Sequence, residues 1–253
     1  MNNLQQRTLN GGQVREGYVQ GYQFLMPVIS AKKYCLAQLD NYIDLPRRNF
    51  PHQPGFRFQV EARVSHQDCV GTWGFGLWND PFSMGVGMSG VKRVLPVLPN
   101  AAWFFYGSPE NYLSLRNDQV STGLHAQIFR SPLLPGILSL LALPTLPLVF
   151  VPAVVRLLRR TANILIKEEA QSIEINVKEW HTYALLWGKD QVRFWVDGIL
   201  LFCSTLAPKG RLGFVLWMDN QYLRIDPQGA IKYGVLSLPN EQSMEIQHLT
   251  LKS

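Results

Sequence analysis

The second half of the sequence consists of short apolar runs separated by turn-forming residues, and this pattern restricts the fold more than any other feature. The runs cover residues 180–187, 191–196, 199–204, 211–218 and 244–252. Asp197 and Gly198 lie between two of them, and this dipeptide favours a two-residue hairpin turn, in which both positions need a positive φ. Strands at this spacing predict an antiparallel sandwich or barrel.

The first half contains three further candidate strands. Residues 56–65 (FRFQVEARVS) alternate apolar and polar side chains, which is the period-2 pattern of a half-buried strand. Residues 70–78 (VGTWGFGLW) are aromatic and glycine-rich, and residues 102–106 (AWFFY) are apolar throughout. We therefore predict one all-β domain over residues 1–253.

One segment departs from the strand pattern, because residues 131–155 carry no charge over 25 positions. Arg130 precedes this segment, and Arg156 follows it directly. The segment contains five prolines, which argue against a single straight transmembrane helix because each interior proline removes a helix hydrogen bond. We predict a helical apolar insertion at about 131–169.

Three interpretations of this insertion remain open. In the first, helices near 136–143 and 152–169 pack on the sandwich. In the second, residues 133–160 form a hydrophobic lid or a membrane-surface contact. In the third, the segment spans a bilayer. The bilayer span has the least support, since strand patterns on both sides of the segment belong to one domain.

Charge and residue usage narrow the set of partners. The sequence has 24 Lys and Arg against 18 Asp and Glu, scattered in pairs, which favours a solvated basic surface and no nucleic-acid partner. The three cysteines and five histidines show no metal-ligand spacing, so we predict no metal, no cofactor and a reducing compartment. The first residues lack the apolar core of a secretory signal, so we expect a cytoplasmic protein, with membrane association only through the insertion.

Two stretches of the sequence resemble family 16 glycoside hydrolases. Residues 179–204 (EWHTYALLWGKDQVRFWVDGILLFCS) are similar to the family phrase W-H-x-Y-x-x-x-W-x-x-x-x-I-x-x-Y-V-D-G, and residues 56–81 resemble its paired strands. The resemblance implies a concanavalin-like β-jelly roll, in which two antiparallel sheets stack and the concave face holds the ligand. Shorter phrases (AQLDNY, GFGLWNDPF, WFFYGSP, GFVLWMDNQY) are similar to a bacterial subgroup of this superfamily, and that narrower resemblance implies no activity.

Catalysis in that family rests on a strand that reads E-x-D-x-E, in which alternate carboxylates share one face. No E-x-D-x-E occurs in this sequence, and the acidic residues between positions 70 and 165 are Asp80, Glu110 and Asp118. The strand that would carry the motif is the aromatic run at 102–106. Retaining glycoside hydrolysis is therefore not expected.

Aromatic and polar residues of the predicted cleft strands form the candidate site. The aromatic candidates for ligand binding are Trp73, Trp78, Trp103, Phe105, Tyr106, Trp217 and Tyr222. Asn79 and Asn220 are polar candidates for ligand binding, and the candidates for proton transfer are Asp80, Glu110, His125 and Asp219. Both the aromatic and the polar candidates could instead have a purely structural role, because aromatic residues fill sandwich cores and Asn or Asp side chains cap turns.

Three functions are consistent with this candidate site. The favoured hypothesis is a non-hydrolytic cleft that binds an apolar or aromatic small molecule or a lipid, with a cyclisation or isomerisation if an acidic or histidine side chain moves a proton. The first alternative is a lectin-like carbohydrate-binding module, in which Trp78 and Trp103 stack on sugar rings. The second alternative is a membrane-peripheral structural protein. Oligomeric state does not follow from the sequence.

Overall fold

The computed structural model describes residues 4–17, 21–81, 95–116, 121–135 and 151–252. Within these residues the chain forms two large antiparallel sheets, a two-stranded ribbon and an α-helix. In chain order the strands are β1 (Gln5–Leu9), β2 (Gln13–Glu16), β3 (Tyr22–Met26), β4 (Leu36–Asp40), β5 (Arg57–Val64), β6 (Thr72–Trp78), β7 (Ala101–Gly107), β8 (Gly123–Arg130), β9 (Lys167–Ser172), β10 (His181–Trp187), β11 (Val192–Val196), β12 (Ile199–Ser204), β13 (Gly213–Asp219), β14 (Gln221–Ile225), β15 (Ile231–Val235) and β16 (Gln242–Lys252). The helix α1 covers Pro152–Leu165, and a short 3-10 turn covers Arg47–Asn49.

Each large sheet has seven strands within the described residues. The first, which we call the cleft sheet, has the order β1-β4-β13-β6-β7-β8-β9. The second, which we call the back sheet, has the order β12-β11-β10-β5-β16-β3-β2. Strands β14 and β15 form the ribbon, which follows β13 directly. Neighbouring strands pair antiparallel in both sheets, which confirms the predicted jelly-roll sandwich.

The runs that the sequence predicts as strands all form strands, namely β5, β6, β7, β10, β11, β12, β13 and β16. The predicted hairpin turn is also confirmed, because Asp197 has a φ of 52° and Gly198 a φ of 77°. The sequence does not predict the remaining strands. One of them, β9, has the polar sequence KEEAQS and is an edge strand of the cleft sheet. The N–H and C=O groups on the outer side of an edge strand are not paired with another strand.

The core lies between the two sheets and is filled by alternate residues of their strands. On β5 of the back sheet, Phe58 is fully buried and packs edge-on against Phe75 of β6, with ring centroids 6.3 Å apart. Tyr183 of β10 contacts Phe104 of β7 in the same way at 5.1 Å. Because each strand buries every second side chain here, the remaining side chains of the cleft sheet point to its outer face.

The insertion is helical over part of its predicted length. The helix predicted at 152–169 begins at Pro152 as expected, but it ends at Leu165, because Lys167–Ser172 pairs with β8 as strand β9. The other predicted helix, at 136–143, lies outside the described residues. No helix among the described residues combines the length and the apolar composition needed to cross a bilayer.

Candidate functional site: an aromatic cleft on the outer face of the cleft sheet

Strand alternation separates the predicted aromatic residues into two groups. Trp78, Trp103, Phe105 and Trp217 lie on the outer face of the cleft sheet, where their rings contact one another. The centroid of Trp103 is 5.5 Å from that of Trp217 and 5.8 Å from that of Trp78. These four residues, together with the ribbon, form what we call the aromatic cleft.

Trp73 and Tyr106 do not belong to this cleft, contrary to the sequence prediction. Both side chains point between the sheets into the core, where their rings stack 5.3 Å apart. The Tyr106 hydroxyl donates a hydrogen bond to the backbone carbonyl of Cys69. Their position follows from the period of the strand, since Trp73 precedes the buried Phe75 by two residues on β6.

The aromatic cleft encloses a cavity of about 300 Å³. Strands β4, β6, β7 and β13 form its floor, and the ribbon forms one wall. The lining residues are Tyr34, Leu36, Gln38, Tyr42, Ile43, Thr72, Trp78, Asp80, Trp103, Phe105, Asn111, Leu113, Val215, Trp217, Asp219, Gln221, Tyr222, Leu223 and Tyr233. The predicted candidate Tyr222 is therefore part of the cleft, and the lining is mostly apolar.

Two glycines of β6 allow the large rings to lie across the sheet. A Cβ atom on Gly74 would come within 2.8 Å of Cη2 of Trp217, and one on Gly76 would come within 2.5 Å of Cα of Trp103. Gly76 also has a φ of 156°. In β6 the large side chains of Trp73, Phe75 and Leu77 point into the core. Gly74 and Gly76 alternate with them on the opposite face and leave room there for the cleft rings.

Asp219 is the buried acid of the cleft, and its carboxylate is held by neutral donors. The Thr72 hydroxyl donates to Oδ1 at 2.8 Å, and the Tyr34 hydroxyl donates to Oδ2 at 3.2 Å. The backbone N–H of Gln221 also donates to Oδ1. Trp217 extends this network, because its indole N–H donates to the Thr72 hydroxyl at 2.9 Å.

Burial dominates the electrostatics of this network. It raises the pKa of Asp219 from 3.8 to about 6, although the hydrogen bonds from Thr72, Gln221 and Tyr34 oppose the shift. Burial, with the neighbouring Asp219 carboxylate, also raises the pKa of Tyr34 well above 10. Asp219 can therefore gain or lose a proton near neutral pH, whereas Tyr34 stays a hydrogen-bond donor.

The two predicted asparagines act as structural caps. The side chain of Asn79 donates to the carbonyl of Leu98 and accepts from the N–H of Asn100. Asn220 accepts from the N–H of Cys35 and donates to the carbonyls of Lys33 and Leu236. Neither residue lines the cavity. Contrary to the prediction, they are therefore not placed in the cleft, and backbone groups take up their amide functions.

The remaining acid-base candidates do not converge on one point. Asp80 lines the cavity, and its backbone carbonyl accepts hydrogen bonds from Arg47. Glu110 is exposed outside the cavity and accepts a hydrogen bond from Ser108. His125 lies on β8, three strands away from Asp219 in the cleft sheet, or roughly 14 Å at ordinary strand spacing. Glu110 and His125 are therefore not partners of Asp219.

His125 has its own structural neighbours. Its Nε2 lies 2.8 Å from the carbonyl of Thr122, and its Nδ1 lies 3.3 Å from the Ser172 hydroxyl. Burial lowers the pKa of His125, so the ring is neutral at neutral pH. These contacts join β8 to the edge strand β9.

The ribbon wall is fixed from outside the cleft by helix α1. Arg159 is buried and donates to the carbonyls of Ser114, Arg116 and Ile225. Its guanidinium also lies 5.3 Å from the ring centroid of Tyr112. The described part of the insertion therefore supports the ribbon and does not line the cavity, contrary to the lid hypothesis for that part.

Comparisons with known proteins agree with this architecture. No protein-family model and no curated protein matches the sequence. Among solved structures, a family 16 endo-glucanase from Bacteroides ovatus aligns over 98% of this chain and 94% of its own, with 8% identity and a TM-score of 0.50. The chain has the jelly-roll fold of family 16 glycoside hydrolases.

Two further solved structures align with this chain at lower scores. A pseudo beta-1,3-glucanase and immunostimulatory antigen of Mycobacterium tuberculosis aligns over 91% of this chain and 74% of its own, with 10% identity and a TM-score of 0.46. A family 16 protein from Mycobacterium smegmatis aligns over 92% of this chain and 75% of its own, with 10% identity and a TM-score of 0.45.

Proposed function

We propose that this jelly roll is a non-hydrolytic protein that binds an apolar or aromatic small molecule in the aromatic cleft. The observation that carries the proposal is the cavity of about 300 Å³ whose rings, from Trp78, Trp103, Phe105 and Trp217, form a continuous apolar surface. Small-molecule sites are typically concave and mostly apolar, with a few placed polar groups, and volumes begin near this size. Asp219 is such a polar group.

The positions of the cleft acids argue against glycoside hydrolysis. Asp219 pairs with Thr72 at one end of β6, whereas Asp80 follows Trp78 at the other end. The Cα atoms of Thr72 and Trp78 are about 20 Å apart at the ordinary rise of a strand. Retaining and inverting hydrolysis need carboxyl groups within about 10 Å of each other. A reaction in this cleft would instead use Asp219 as a single acid or base, in a cyclisation or an isomerisation.

A fluorescence titration tests the binding proposal. The neutral probe N-phenyl-1-naphthylamine brightens in an apolar site, and we expect saturable binding to the wild-type protein. Trp103→Ala should weaken this binding by about tenfold, or ~1.4 kcal/mol. Trp180→Ala is the matched control, because Trp180 is exposed beside the back sheet, where Arg63 lies 4.8 Å from its ring centroid.

Equal binding by the wild-type protein and Trp103→Ala would contradict the proposal. So would saturable binding of a β-glucan oligosaccharide with no binding of the probe, which would favour the lectin-like function. The carbohydrate function has less support, because backbone groups take up the amides of Asn79 and Asn220.

A second candidate function, contact with an anionic membrane surface, is favoured by the outer side of α1. Leu157 and Ile164 of this helix are 63% and 71% exposed, and the exposed Arg156 and Arg160 lie on the same helix. Exposed apolar and basic side chains on one helix are typical of interfacial binding.

Vesicle flotation tests this second function. We expect the wild-type protein to float with phosphatidylserine-containing vesicles and the double variant Leu157→Ser, Ile164→Ser to stay in the soluble fraction. Ile199→Ser is the matched control, because Ile199 is 72% exposed in a hairpin of the back sheet. Equal flotation of the double variant and the wild-type protein would contradict the proposal.

A further inference from the structure

The charged residues among the described lining of the aromatic cleft are both acidic. Asp80 and Asp219 are its acidic residues, and no Lys, Arg or His is among the described residues that line it. The described lining is therefore acidic, although the whole chain has a formal net charge of +6. An anionic ligand would meet no Lys, Arg or His among the described lining residues and would face the Asp219 carboxylate, which is unfavourable in a buried site.

Asp219 lacks a cationic partner within the described chain. Its side-chain hydrogen bonds come from the hydroxyls of Thr72 and Tyr34, and no Lys, Arg or His in the described ranges forms an ion pair with it. A buried carboxylate without a countercharge is costly when it is ionised. A positively charged ligand that enters the cleft would supply the missing charge.

The rings around Asp219 add a second attraction for a cation. Trp217 contacts Trp103 and Phe105 with ring centroids 5.5 Å and 5.9 Å away, and Tyr34 and Tyr222 lie on the same cavity. The faces of aromatic rings carry negative potential, and several rings around one cavity are the usual recognition device for alkylated ammonium groups. The apolar lining also suits the carbon substituents of such a group.

We infer that the ligand of the aromatic cleft is an organic ammonium ion, a positively charged nitrogen that carries apolar or aromatic substituents, bound with its charge beside Asp219 and against the rings of Trp103 and Trp217. This inference rests on the proposed function and narrows its ligand class. It excludes fatty acids and other organic anions, and it gives neutral apolar molecules a lower affinity than the matching cations.

Competition against the fluorescent probe tests the inference. Phenyltrimethylammonium, tert-butylbenzene and benzoate are the competitors; the first two have nearly the same shape and differ in charge. We expect phenyltrimethylammonium to displace N-phenyl-1-naphthylamine at a concentration about tenfold lower than tert-butylbenzene, and benzoate not to displace it. Asp219→Asn keeps an oxygen for Thr72 and should remove most of the difference between the first two competitors.

The outcomes separate this inference from the proposed function. If the probe does not bind the wild-type protein, the proposed function fails, and the inference fails with it. If the probe binds, and tert-butylbenzene competes as well as phenyltrimethylammonium, the inference alone is overturned and the cleft is a neutral apolar site. Should Asp219→Asn fail to fold, the comparison of competitors on the wild-type protein still decides the inference.

Discussion

The hydroxyl of Thr72 donates a hydrogen bond to the carboxylate of Asp219 and accepts one from the indole of Trp217, at 2.8 Å and 2.9 Å. This single hydroxyl therefore joins the acid of the aromatic cleft to one of its walls. Thr72 and Asp219 are also directly paired across β6 and β13, so the sheet register brings them together. Stability and binding should both depend on this link.

Replacing Thr72 by valine should destabilise the protein, because the change keeps the shape of the side chain but leaves the indole N–H of Trp217 without an acceptor. An unsatisfied buried donor costs about 1–3 kcal/mol in the free energy of unfolding. Urea denaturation measures the loss, and Thr72→Ser, which keeps the hydroxyl, is the control. Equal stability of Thr72→Val and Thr72→Ser would show that the link is not formed.

The unfolding free energy should fall as the pH rises through the titration of Asp219. The raised pKa of about 6 means that the folded protein retains a proton that the unfolded chain, with a pKa near 3.8, has released. The stabilisation is complete below pH 4 and lost by about pH 7, and 2.2 pKa units correspond to about 3 kcal/mol.

Asp219→Asn isolates this contribution from other titrating groups, such as Glu168, whose pKa burial also raises. Denaturation curves of both proteins between pH 4 and pH 8 give the difference in stability at each pH. This difference should change by about 2.4 kcal/mol across the range, and the variant should be relatively more stable at high pH. A difference that stays constant would mean that Asp219 does not titrate there.

Arg159 should stabilise the ribbon wall from the side of α1. Arg159→Met removes the hydrogen bonds to the carbonyls of Ser114, Arg116 and Ile225, and we expect a loss on the order of 3 kcal/mol. Hydrogen exchange should also accelerate in Gln221–Ile225. The neighbouring Arg160→Met is the control, since Arg160 is exposed and surface changes typically stay within about 0.5 kcal/mol. Unchanged exchange in the ribbon would contradict the supporting role of Arg159.

The sandwich could be predicted from the sequence because its central strands carry strong local signals. The alternation of β5 and the turn at Asp197 and Gly198 each report local backbone geometry, and both were confirmed. The strands that were not predicted lack such signals. Strand β14 (QYLRI), for example, is partly buried at every position, so its residues show no alternation between a buried and an exposed face.

The cleft could be predicted only in part, because strand period and chain topology decide which residues meet. Trp78, Trp103, Phe105, Trp217, Tyr222, Asp80 and Asp219 were predicted and line the cavity. The sequence also predicts Trp73 and Tyr106 in the cleft, because composition does not reveal which face of a strand is buried. Tyr34 was not predicted, since it lies in a loop 185 residues away from the Asp219 to which it donates. Thr72 carries no signal that distinguishes it from any other strand threonine.

Fluorine NMR of the protein labelled with 5-fluorotryptophan would test the binding site most directly. The chain has seven tryptophans, and single Trp→Phe replacements assign their resonances. On addition of N-phenyl-1-naphthylamine, the resonances of Trp78, Trp103 and Trp217 should shift together with one binding constant. The resonances of the other tryptophans, Trp73, Trp180, Trp187 and Trp195, should not shift. A shift confined to the latter group would place the ligand elsewhere and contradict the aromatic cleft as the binding site.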